Sequence, residues 1–78
     1  MKTNELKKGM RVKLRNGWEA DIADNLRGNI RMAKVYGFET EIGSVYSHDI
    51  ALWLDGDQWR RIEHTPAQLK LRNMAEAF

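Results

Sequence analysis

His48 stands next to Asp49, His64 follows further along the chain, and Asp55 and Asp57 flank Gly56. These are the imidazoles and carboxylates from which a metal site or a general acid–base pair would be built. Their spacing supports neither. Adjacent side chains on an extended chain point to opposite faces, so His48 and Asp49 do not form a ligand pair. Within Ser47-His48-Asp49 they read as a tight turn, and His64 reads as the entry to a helix. Asp55-Gly56-Asp57 is ordinary hairpin-turn chemistry. Gly28 and Gly37 are isolated, so the chain lacks a glycine-rich phosphate loop. The expectation is a non-enzymatic chain with no metal, no cofactor and no small-molecule substrate.

The remaining chemistry is non-covalent. Lys7, Lys8, Arg15, Arg27 and Lys34 are cations for which the strand pairing given below predicts no acidic partner, and they are the candidate contacts to nucleic acid. Arg60, Arg61, Lys70 and Arg72 form a second basic group. Tyr36, Phe38, Tyr46, Trp53 and Trp59 are aromatic, and exposed members of that set would stack on bases. Tyr36, Phe38, Trp53 and Trp59 are equally the candidates for contact with a protein, with Phe38 in an exposed loop tip at Gly37-Phe38-Glu39-Thr40. A pair of exposed tryptophans at Trp53 and Trp59 would also favour weak self-association.

Composition bounds these choices. Seventy-eight residues make one domain, 1–78. Thirteen Lys and Arg against eleven Asp and Glu leave a net charge of only +2, a weak electrostatic footprint for nucleic acid. Cysteine is absent, which excludes a disulfide framework and a thiolate metal site and favours a cytoplasmic location. No apolar run approaches the roughly 18 residues of a membrane span, and the N-terminus has no signal-peptide pattern.

The elements that must position these groups are mostly strands. Met10, Val12 and Leu14 alternate with Arg11, Lys13 and Arg15, and Trp18, Ala20 and Ile22 alternate with Glu19 and Asp21. Each set reads as a half-buried strand, and Asn16-Gly17 between them signals a hairpin. A two-residue loop would mix apolar and charged side chains on one face. A three-residue loop, Arg15-Asn16-Gly17, pairs Leu14 with Trp18, Val12 with Ala20 and Met10 with Ile22, so the apolar pattern selects it. Lys13 then faces Glu19 and Arg11 faces Asp21 on the solvent side, neutralising part of the basic strand.

A third strand is predicted near Asn29–Tyr36, after the turn Asp24-Asn25-Leu26-Arg27-Gly28. Pairing Ile22 with Ile30 and Ala20 with Met32 keeps the apolar residues together and places Arg31 opposite Asp21. The alternation changes phase at Ala33, which predicts a bulge there. A strand around 41–46 and a hairpin of 50–54 with 58–62 follow, the latter with no clear register. Thr65 is a good N-cap and Pro66 suits the first helical position. Ala67, Leu71, Met74, Ala75 and Phe78 form an apolar stripe expected to dock on the sheet or over an open barrel end. The predicted fold is mainly β, a small SH3-like barrel of five to six antiparallel strands (about 6–63) with one C-terminal amphipathic helix (about 66–77).

The stretch Lys7-Lys8-Gly9-Met10-Arg11-Val12-Lys13-Leu14-Arg15-Asn16-Gly17 resembles the opening of KOW and related SH3-like barrels, which begin with a basic strand and a glycine turn. The likeness extends loosely through Gly28. It implies contact with RNA or with the transcription and translation machinery. Trp18-Glu19-Ala20-Asp21 departs from the family's basic, glycine-rich second segment. The barrel-plus-helix layout also resembles small proteins of bacteriophages and prophages. The expected function is a non-catalytic binding module, monomer or weak homodimer, with nucleic acid slightly ahead of a host protein as partner.

Overall fold

The three-residue turn sets the first hairpin. In the computed structural model, which describes residues 1–24 and 30–76, β1 (Arg11–Leu14) pairs with β2 (Glu19–Ile22) through Arg11 opposite Asp21, Val12 opposite Ala20 and Lys13 opposite Glu19. The amide of Leu14 donates to the Trp18 carbonyl and that of Ile22 to the Met10 carbonyl, so the whole predicted register is present. Gly17 has φ +91°, the left-handed value that this turn needs.

The third strand corrects the sequence reading. β3 (Ile30–Tyr36) pairs Ile22 with Ala33, Asp21 with Lys34, Ala20 with Val35 and Glu19 with Tyr36. That is three residues away from the expected pairing, and an odd slip exchanges the faces. Arg31, Ala33 and Val35 point inward, while Met32, Lys34 and Tyr36 point outward. The apparent phase change therefore vanishes: β3 pairs without interruption, and the irregularity falls between β1 and β5, at Lys13 and Leu14. The pattern misled because a buried arginine occupies an apolar slot. Arg31 is fully buried, donating from Nη1 to the Ile30 carbonyl at 2.9 Å and from Nη2 to Asn4 Oδ1 at 2.5 Å. Most of the predicted 24–28 turn lies outside the described residues.

β4 (Thr40–Tyr46) continues the meander, and a 3-10 turn, Ser47–Asp49, leads to β5 (Ile50–Asp55) and β6 (Gln58–Arg61). The six antiparallel strands form one open sheet in the order β4-β3-β2-β1-β5-β6. In a flat sheet β4 and β5 would stand four strand spacings apart, roughly 19 Å. The three-residue link reaches less than about 14 Å even when extended. The sheet is consequently curled, and its concave side holds Leu6, Val12, Leu14, Ala20, Ile22, Ala33, Ile50 and Ile62.

The last hairpin turns over Gly56-Asp57, with Gly56 at φ +64°. Leu54 opposes Trp59 and Trp53 opposes Arg60, so the two tryptophans lie on opposite faces. Trp53 packs against the core.

Two terminal segments close the fold. The first residues make a 3-10 turn, Thr3–Glu5, that drives Leu6 into the core, and Lys2 bridges to Glu63. At the other end α1 (Pro66–Glu76) starts as expected from Thr65: Gln68 N donates to Thr65 Oγ1 and Thr65 N to Gln68 Oε1, a reciprocal cap. The helix packs against the Ser47–Asp49 turn, and of the expected stripe Ala75 and Phe78 lie outside the described side chains. Gln68 is buried, whereas Ala67 is exposed and Leu71 and Met74 are 41% and 52% exposed. The cap draws Gln68 inward and leaves Ala67, Leu71 and Met74 toward solvent. Among the described residues no helix is long and apolar enough to cross a membrane.

Candidate functional site

On the convex face of β1, β2 and β3 the charged side chains satisfy one another. Arg11 Nε lies 2.5 Å from Asp21 Oδ1 and its Nη1 lies 3.3 Å from Glu19 Oε1. Its guanidinium also sits 4.8 Å from the centre of the Tyr36 ring, and the Tyr36 hydroxyl donates to Asp21 Oδ2 at 2.6 Å. The Arg11 hydrogen bond holds the Asp21 carboxyl below its usual range against the opposing effect of burial, with Tyr36 assisting. The bond to Asp21 in turn pushes the Tyr36 phenol up. Lys34 lies 5.7 Å from the same ring, and Lys13 lies 4.4 Å from the ring of Trp59.

The candidate nucleic-acid residues are dispersed by this arrangement. Lys7 and Lys8 are exposed on the turn before β1. Arg15 acquires an acidic partner that sequence pairing did not supply, Asp49 at 2.9 Å. Lys34 belongs to the Tyr36 cluster, and Arg27 lies outside the described residues. Arg60 pairs with Asp55 at 2.5 Å. A cleft of about 300 Å³ gathers Arg61, His64 and Arg72 beside Ile62, and neither of these two arginines forms an ion pair among the described residues. His64 is fixed by a 2.9 Å bond between Nε2 and the Ile50 carbonyl.

The candidate protein-contact residues also separate. Phe38 projects from the loop after β3 and is 97% exposed. Tyr36 and Trp59 carry cations on their rings, and Trp53 is turned to the core. Sequence reasoning missed Ile42 and Ile30 among their replacements and named Tyr46 only as a candidate stacking ring. Ile42 is 70% exposed and Tyr46 54%, both on β4, and Ile30 opposite Tyr46 is 48% exposed. Trp18, expected in the core, stands just ahead of β2 and meets Phe38 edge to face at 5.6 Å. The signal that could have found it is Gly37: a Cβ there would lie 2.5 Å from Trp18 Cζ3, so only glycine lets the indole rest on that backbone.

Two further clefts flank the β1–β2 turn. One, of about 320 Å³, lies between Arg15 and Asn16 on one side and Ser44, Tyr46 and Asp49 on the other. Tyr46 stacks at 5.1 Å on His48, which is buried. The other, of about 250 Å³, is lined by Trp18, Phe38, Glu39 and Glu41. No group of three or more His, Cys, Asp or Glu side chains among the described residues is placed to hold a metal ion. Comparison with protein-family models, curated proteins and solved structures returned no match.

Proposed function

We propose that the chain is a non-catalytic interaction module that binds a protein partner through the β3–β4 side of its sheet, with Phe38 as the anchor. One observation carries this reading: Phe38, Ile42, Tyr46 and Ile30 are 97%, 70%, 54% and 48% exposed and all belong to one hairpin. Apolar side chains concentrated in this way mark contact surfaces, and burying a Phe in a partner contributes about 1.5–3 kcal/mol. The cations of the neighbouring strands are meanwhile held by Asp21, Glu19, Asp49 and Asp55 or by aromatic rings.

The cleft at Arg61, His64 and Arg72 favours a second reading, in which phosphates of a nucleic acid bind there and near Lys7 and Lys8. Amide-shift titrations separate the two. A partner captured by the wild-type chain, then purified, should perturb Phe38, Ile42 and Tyr46 and lose about tenfold or more in affinity to Phe38→Ala. Salt-sensitive shifts at Lys7, Lys8, Arg61 and Arg72 on adding RNA or DNA, with none on β4, would replace the protein reading with the nucleic-acid one.

A further inference from the structure

At the Phe38 end of that hairpin, and resting on the protein-partner reading, we infer that the corner formed by Trp18, Phe38, Glu39 and Glu41 holds a Lys or Arg side chain of the partner. Its two walls are aromatic rings inclined at 82° with centroids 5.6 Å apart. Both are open to solvent, Trp18 at 38% and Phe38 at 97%. The remaining lining of the cleft comes from Glu39 and Glu41.

The charges decide the occupant. Glu19, Asp21, Asp49 and Asp55 each meet an arginine, but Glu39 and Glu41 form no ion pair among the described residues. Two carboxylates with no ion pair beside two exposed rings attract a cation twice over, through Coulomb attraction and through the quadrupole of the ring face it meets. A long side chain suits the corner because its methylene stem lies against the rings while its head reaches the carboxylates. A stacked nucleotide would bring its phosphate against Glu39 and Glu41, so the same corner rejects nucleic acid. The cleft, about 250 Å³ and open to solvent, has room for one long side chain. Gly37 fixes one wall in advance by letting Trp18 lie against the backbone.

The test uses the full chain, isotope-labelled, titrated with acetyl-Gly-Lys-Gly-amide and with its norleucine analogue, which keeps the stem and lacks the charge. The lysine peptide should shift the Trp18 indole N–H and the Phe38, Glu39 and Glu41 amides. The norleucine peptide should bind at least about threefold more weakly. Added salt and the pair Glu39→Gln with Glu41→Gln should each weaken the lysine peptide, and Phe38→Ala should do so by about tenfold. Equal response to the two peptides would make the corner merely apolar, and no response to either would leave it without this role; each result overturns the inference. The contact surface itself would still stand if Phe38→Ala weakened the purified partner, so the two failures are distinguishable.

Discussion

The β1–β2 and β3–β4 hairpins are neighbours in one sheet and are built on opposite terms. In the first, Val12, Leu14, Ala20 and Ile22 are buried, Arg11 holds both outward carboxylates, Asp21 and Glu19, and Lys13 rests on Trp59. In the second, an arginine lies inside, a glycine opposes Ala33, and isoleucines and a tyrosine face solvent. The first hairpin carries stability and consumes its own chemistry. The second leaves apolar surface and carboxylates unspent, which is what a contact surface requires.

This contrast can be broken or sharpened by substitution. The largest effect is expected from Ile22→Ala, which empties a core position in the first hairpin and should destabilise by about 2–5 kcal/mol in urea unfolding. Arg31→Ala should follow, at about 2–3 kcal/mol, through loss of charge-assisted bonds to Asn4 and the Ile30 carbonyl. Hydrogen exchange of residues 2–6 should rise with it; unchanged exchange there would show that Arg31 does not secure the N-terminal segment.

Acid should act next. Asp21 has a folded-state pKa below its ordinary value, so its contribution is full above about pH 4 and is lost as pH falls through the lowered value. Asp21→Asn should remove about 1 kcal/mol at neutral pH and flatten that acid limb. An unchanged limb would mean that the Arg11–Asp21–Tyr36 cluster adds nothing. The smallest effect is expected at Ile42→Ala, within about 0.5 kcal/mol of wild type, because the side chain is already in solvent. A large loss there would erase the distinction between the hairpins.

The first hairpin was legible in the sequence because its alternation, its glycine and its charge pairs all select one register. The second was not, because Arg31 occupies a core position and Ile30 and Ile42 occupy solvent positions, reversing the rule on which the register argument depends. Phe38 was found because Gly37-Phe38-Glu39-Thr40 reads as an exposed loop tip, where it is indeed 97% exposed. The roles of Trp18 and Glu41 were invisible, and Tyr46 was named only as one aromatic among five, because the corner and the neighbouring cleft are assembled across separate turns by the curl of the sheet. The helix was readable at its start, from Thr65 and Pro66. Its orientation was not, because a capping glutamine took the inward position.

The bridge between Lys2 and Glu63, with the Glu63 amide donating to the Met1 carbonyl, bears on the order of assembly. The two segments it joins lie far apart in the sequence, so their contact carries a long loop closure. The hairpins can form from local contacts, but this bridge waits for Glu63. A nascent chain halted before that point should display paired strands over an unsealed core. Protease sensitivity of the first six residues, followed against chain length, would time the sealing step.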